Sequence, residues 1–364
     1  MLRNSAITGY DIPGLRTNLV ASLYADDTTV YLRESDSYAT LLSILQVWQR
    51  AAGAKFNVAK TEIIPLGTPE FRERLIRTRL LCDGDTEIAA HIRIARDGEA
   101  TRVLGTWPGN KVDGPGLWAP ILEKITKKLD AWSKLNPTID GRCTLVQIYV
   151  GGYTQYLTAA QGMPRSIELK INKIISDFIW AGTKRHPINI DTLRKSKDEG
   201  GKNLLDVAAR NQAAYTVWLR EYLSDEGARP TWAYLADVIL ALNARKADGI
   251  KTPLDARYNP FIQDWKPNNN KLPFILKSMM NVAKTFGVVA DAPYVPDEVR
   301  LQVPIWSHFA REHPNASQHT KEARCLRKNH HVYLVDGLDE LAELDNPHHT
   351  GENDCNCQNC QYDR

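Results

Sequence analysis

Two aspartates stand side by side in SLYADDTTVYL, residues 22–32, between two short apolar runs. Adjacent carboxylates repel each other, so a fold keeps them close either at a turn in open water or around a cation. Hard Mg²⁺ takes oxygen ligands, usually one or two carboxylates plus substrate phosphates. A pair of such ions can clamp the attacking and leaving oxygens of a phosphoryl transfer. Asp26 and Asp27 are thus candidate Mg²⁺ ligands, and a solvated turn is the plainer reading. A second cluster closes the chain, where HHTGENDCNCQNCQYDR brings His348, His349, Cys355, Cys357 and Cys360 together. Tetrahedral zinc wants four thiolate or imidazole ligands, which Cys355, Cys357, Cys360 and the upstream His349 could supply, although the spacing is not that of a standard finger or knuckle. The alternative is an acidic tail with free thiols. Cys82, Cys143 and Cys325 are isolated, a pattern that speaks for metal or nothing rather than for a disulfide framework.

The elements that must position these groups follow from periodicity. LVASLY and TTVYL read as two β-runs, so residues 17–33 predict a hairpin with Asp26-Asp27 at its turn. Leu41, Leu42, Leu45 and Trp48 recur at helical spacing over residues 38–54, with Gly53 as a stop. KFNVAKTEIIPLG predicts a loop and a strand returning toward the hairpin, and RVLGTWPG one more strand ending in a turn. From Trp118 the period is helical: Trp118, Ile121, Leu122, Ile125, Leu129, Trp132 and Leu135 form one stripe, with Lys124, Lys127, Lys128 and Lys134 off it. Further helices are expected at 142–160, 164–181, 203–223 and 232–244, and loop-rich sequence in KTPLDARYNPFIQDWKPNNNKLP.

The 364 residues carry a formal charge of only +3, which hides an asymmetry: net +6 over 101–230, +5 over 231–330 and −7 over 331–364. A basic middle of this kind can face nucleic acid, or it can be ordinary solvated helix surface. No apolar run approaches the ~18 residues of a membrane span, and the amino terminus lacks the order of a secretion signal. An intracellular protein, nuclear or cytoplasmic, is expected.

Taken in order, LYADDTTVYL, a helix, GAKFNVAKTEIIPLG and RVLGTWPG resemble the third, fourth and fifth palm motifs of reverse transcriptases of non-long-terminal-repeat, LINE-like retrotransposons, particularly the Tad-type elements of fungi. The likeness covers about residues 1–225, since a Trp- and Lys-rich helix, GRCTLVQIYV, a DFIW element and EGGKNLLDVAARN also resemble the segments on the carboxy-terminal side of the palm in those elements. It implies an α+β fold: part of a palm, with a small antiparallel sheet and helices, over 1–112; a helical, thumb-like region over 113–225; a helical and loop-rich connection over 226–335; and an acidic Cys/His tail over 336–364. It further implies that Asp26 binds both metal ions, that Asp27 adds a weaker carboxylate, and that Lys60 protonates the pyrophosphate leaving group. Leu104 and Gly105 would lie where backbone approaches a primer strand, and Lys124, Lys127 and Lys128 along a phosphate backbone of RNA or DNA.

The family's metal pair needs a third carboxylate from an earlier palm strand, and the chain begins about 25 residues before Asp26. The expectation is therefore a truncated polymerase fragment, inactive by itself unless another chain supplies the missing strand, with an exposed sheet edge and apolar face. The other reading is a nucleic-acid-binding module that uses the basic helices.

Overall fold

A computed structural model describes residues 1–57, 60–183, 186–225, 227–243, 271–288 and 320–342, with Leu301, Ile305, Asn356 and Gln361 besides. The chain divides into two compact units, Met1–Tyr215 and Thr216–Arg364. The first unit takes in residues 1–112 and most of 113–225, the last ten of which fall in the second. The described parts are α+β, dominated by helix with two small sheets.

In the first unit, β1 (Ala21–Tyr24) and β2 (Asp27–Val30) form an antiparallel hairpin that pairs Ala21 with Val30 and Tyr24 with Asp27. α1 (Tyr38–Ala52) comes next, as expected. Its amino end is capped by Ser37, whose hydroxyl accepts from the Thr40 N–H, and it stops at Gly53, whose φ of 62° suits glycine. α2 (Pro69–Thr78) packs Leu75 beside Ile7, Val20, Tyr38, Leu41, Ile88, Ile92 and Ile94, the core of this front region.

Strand content differs from expectation. The strand expected to return toward the hairpin is only β3 (Glu62–Ile63), and it pairs in parallel with β4 (Arg93–Ile94) instead. The hairpin has no third strand among the described residues, so the single small antiparallel sheet becomes two separate pairs. KTEIIPLG holds too few consecutive extended residues between its polar loop and Pro65 for a longer ladder, and β4 lies nearer along the core. RVLGTWPG forms no strand; a single bridge joins Val103 and Thr106 across a tight turn.

The helices match the periodicity closely. α3 (Ala119–Ser133) buries Ile125 and Leu129; α4 (Ile139–Leu145) runs through a π-helical turn, Val146–Gly151, into α5 (Gly152–Gln161); and α6 (Arg165–Ile179) buries Ile167, Ile171 and Ile175. These side chains, with Val146, Val150, Leu157 and Val207, make the second core. α7 (Ile190–Arg194) and α8 (Val207–Tyr222) continue the chain.

The second unit is described in pieces. α9 (Thr231–Asn243) folds against the end of α8: the Arg229 guanidinium forks onto Asp237 at 2.6 and 2.7 Å and lies between the rings of Tyr222 and Tyr234, while Trp218 and Trp232 meet edge to face. α10 (Phe274–Thr285) and the short helices Lys321–Lys328 and Val335–Ala342 complete it. No helix among the described residues is long and apolar enough to cross a membrane.

Candidate functional site

The hairpin register decides where the two carboxylates stand. With Tyr24 opposite Asp27, the two-residue loop is Ala25-Asp26. The pair is therefore not the turn itself, as expected, because Asp27 already belongs to β2. The cause is the burial of Ala21 and half-burial of Val30, which fixes the pairing one residue earlier than the aspartates alone suggest. Ala25 takes a left-handed backbone, φ 52°, at the first loop position, where a II′ turn normally selects glycine. Residues 22–28 are exposed throughout, with Leu23 at 68% and Tyr24 at 69%.

Asp26 and Asp27 make no side-chain hydrogen bond or ion pair among the described residues, and no group of three or more His, Cys, Asp or Glu suited to a metal ion gathers there or elsewhere among them. Asp26 in the loop and Asp27 at the start of β2 offer two carboxylates, fewer than a two-ion centre takes from the protein, because water and substrate fill only the rest of each Mg²⁺ shell. Lys60 is exposed in a turn whose N–H donates to the Asn57 carbonyl, and no bond among the described residues joins it to the aspartates. His348, His349, Cys355, Cys357 and Cys360 lie outside the described residues.

Two other acids do organise this region. Asp36 accepts from the N–H groups of Thr8 (2.7 Å), Gly9 (3.1 Å) and Arg33 (2.8 Å), pinning the chain on both sides of the hairpin. Burial opposes its ionisation, yet the three donors outweigh it and hold its carboxyl below the usual range. Asp85 likewise accepts from Tyr38 N–H, Ala39 N–H and the Ser37 hydroxyl at the start of α1, and from its neighbour Thr86 N–H. Desolvation is again outweighed, and its carboxyl is lowered. Asp36 sits in an N-cap-like Ser-Asp-Ser, which is a visible signal; Asp85 reaches back 47 residues to Tyr38, and no local pattern announces it.

The Leu104–Gly105 turn is built quite differently. Val103 and Thr106 exchange backbone hydrogen bonds at 3.0 and 2.8 Å, and both central residues are left-handed, Leu104 at φ 48° and Gly105 at φ 81°. That is the I′ pattern, costly for a leucine and natural for a glycine. α5 braces it: the Tyr156 hydroxyl donates to the Leu104 carbonyl, and the Gln161 side-chain oxygen accepts from Trp107 N–H at 3.0 Å. A Cβ on Gly105 would come within 3.0 Å of the Tyr156 ring. The missing side chain therefore makes room for Tyr156, a residue that sequence reasoning passed over because the two lie far apart along the chain, with 52 positions between Leu104 and Tyr156.

α5 is oriented by its inner face. Thr154 and Thr158 are wholly buried; the Thr154 hydroxyl donates to Val150 O and accepts from Arg210 at 2.7 Å, and Arg210 also donates to Asn211, whose amide donates to the buried Glu168. With Thr154, Leu157 and Thr158 turned inward, helical spacing turns Tyr156 outward, and it is 55% exposed.

Along α3 the three lysines have separate fates. Lys127 is ion-paired with Glu123 one turn back; Lys124 holds its ammonium 4.1 Å from the Tyr153 ring centre; Lys128 is exposed and unpaired among the described residues. Beside them Trp132 Nε1 donates to the Tyr149 hydroxyl, and Tyr149 packs on Tyr153. The result is a cationic edge over an aromatic rib. No protein-family model matches the chain, and no curated protein does.

Proposed function

We infer that the chain is a reverse-transcriptase-derived nucleic-acid-binding protein of the non-long-terminal-repeat kind, without polymerase activity of its own. The reading rests on the motif order in the sequence. Within one compact unit, a hairpin carrying Tyr24-Ala25-Asp26-Asp27 and a Leu104–Gly105 turn braced on a helical bundle support it. What supports the inactivity is the ligand count: phosphoryl transfer by a metal pair needs more carboxylates than the two at the hairpin tip, no third acid gathers with them among the described residues, and Asp36 and Asp85 are committed to backbone donors. A separate chain that contributes a strand with a further carboxylate would supply the ligand the pair lacks, and the hairpin has no third strand among the described residues.

Primer extension on an RNA template with Mg²⁺ tests this directly. The chain alone extends no primer, and Asp26→Ala changes nothing; template copying by the wild-type chain, abolished by Asp26→Ala, would overturn the reading. The binding half is tested by affinity for RNA and DNA as salt is varied. Binding persists in Asp26→Ala and weakens when Lys124, Lys127 and Lys128 are replaced by alanine, with a shallower salt slope.

A further inference from the structure

The brace between the Leu104–Gly105 turn and α5 carries an exposed aromatic side chain on each of its two partners. Tyr156 is 55% exposed although its hydroxyl is engaged by Leu104, and Trp107, three residues beyond Leu104, is 37% exposed although its N–H is engaged by Gln161. The Tyr156 ring is tethered through its hydroxyl and the Trp107 backbone through its N–H, so part of the conformational freedom that contact with a ligand would remove is already lost. Around them the surface stays open. Gly152, one turn before Tyr156 on α5, would meet nothing if it bore a Cβ, and Ile148, one turn further back, is exposed. A helix-interior glycine that no packing requires costs stability and leaves room for another molecule to approach. A positive charge adjoins one ring: the Arg102 guanidinium lies 5.9 Å from the Trp107 ring centre. The wider segment 101–230 carries net +6.

We propose that Trp107 and Tyr156 form a stacking platform for unpaired bases of single-stranded nucleic acid, with Arg102 meeting the adjoining phosphate. This deepens the nucleic-acid-binding reading above and rests on it. Exposed aromatic rings, one of them beside a guanidinium, suit a strand whose π-faces are free. A duplex, whose bases are already stacked on one another, offers only its backbone. The positive field favours a polyanion over an apolar protein segment.

The test uses the full chain and a fluorescently labelled oligouridylate of about a dozen nucleotides, with binding read by anisotropy over a range of salt. The combined change Trp107→Leu and Tyr156→Leu keeps apolar bulk and removes the aromatic faces. It weakens binding by about twenty-five-fold to ten-thousandfold, at roughly fivefold to a hundredfold per lost stack, while the salt slope stays as in wild type because no phosphate contact is lost. Tyr156→Phe keeps the ring and binds within about twofold, on the same stacking argument, which separates stacking from bracing of the turn. An RNA duplex of equal length is indifferent to the double change. Wild-type affinity for the oligouridylate in the double variant would overturn the platform and leave the nucleic-acid-binding reading standing. So would a loss matched by a shallower salt slope, since the contacts would then be to phosphates. Absence of any wild-type binding to RNA or DNA would overturn both.

Discussion

The hairpin tip and the Leu104–Gly105 turn are two short loops of the same kind, each with a non-glycine residue held left-handed, and they differ in what stands behind them. At the tip, Ala25 is at φ 52° with Asp26 and Asp27 in open solvent and no bond among the described residues to hold their side chains. At the second loop, Leu104 and Gly105 are clamped by Tyr156 and Gln161 of α5, which is itself keyed into the bundle by Thr154 and Arg210. The residues with the chemical reputation lack a supporting shell, and the loop with no reactive group has one. A catalytic carboxylate must be held to within a fraction of an ångström, and support of that kind stands behind the second loop but, among the described residues, not behind the tip.

Substitutions on either side of the comparison have graded effects. The largest is expected for Gly105→Val, which forces a β-branched residue to positive φ and drives its side chain into Tyr156. A loss of about 2–3 kcal/mol is predicted in urea unfolding followed by tryptophan fluorescence. A loss no larger than that of a surface substitution would mean that the brace is dispensable. Next comes Asp36→Ala, which strands the N–H groups of Thr8, Gly9 and Arg33 and should cost about 1–3 kcal/mol.

Acid sharpens the same point. The folded-state carboxyls of Asp36 and Asp85 lie below their ordinary values, so their stabilisation is present at neutral pH and is lost as pH falls through those lowered values. Asp97, which Arg72 and Lys111 pull down to about 2, adds to the same acid-side loss. Stability of the first unit should therefore decline as pH drops below the ordinary carboxylate range, less steeply in Asp36→Asn, as thermal melts across that range would show. Smaller still is Tyr156→Phe, which removes one hydrogen bond at an exposed site and should cost about 0.5–1 kcal/mol. At the foot of the scale, Asp26→Ala and Asp27→Ala together should leave the melting temperature unchanged, or raise it slightly by relieving like-charge repulsion. A clear destabilisation there would reveal a partner for the pair and break the contrast.

Much of the helical architecture is legible in the residue order. The stripe from Trp118 to Leu135 announces α3, and Gly53 marks the end of α1. Periodicity succeeds there because each helix buries one face in a core, and that face is written in consecutive residues. The β elements are less legible. Spacing finds the hairpin but places its turn one residue late, and the strand expected beside it pairs elsewhere, because strand partners are chosen by long-range packing. Among the candidate site residues, the resemblance implies that Gly105 lets backbone approach a primer strand, and the structure adds that Tyr156 packs beside it; Lys127 groups with Lys124 and Lys128, and the structure adds its ion pair with Glu123. The Lys127–Glu123 pairing at i, i+4 is available in the sequence; the Tyr156 contact is not.

Residue order alone determined which groups this protein owns, two neighbouring carboxylates and a basic helical stretch, and roughly where most of its longer helices lie, since both are properties of local spacing. Only the tertiary structure decided that those carboxylates stand unsupported while a tyrosine on a distant helix secures a leucine carbonyl. Partners so far apart in sequence meet through the packing of whole elements, and packing obeys burial and shape rather than any neighbourly pattern along the chain.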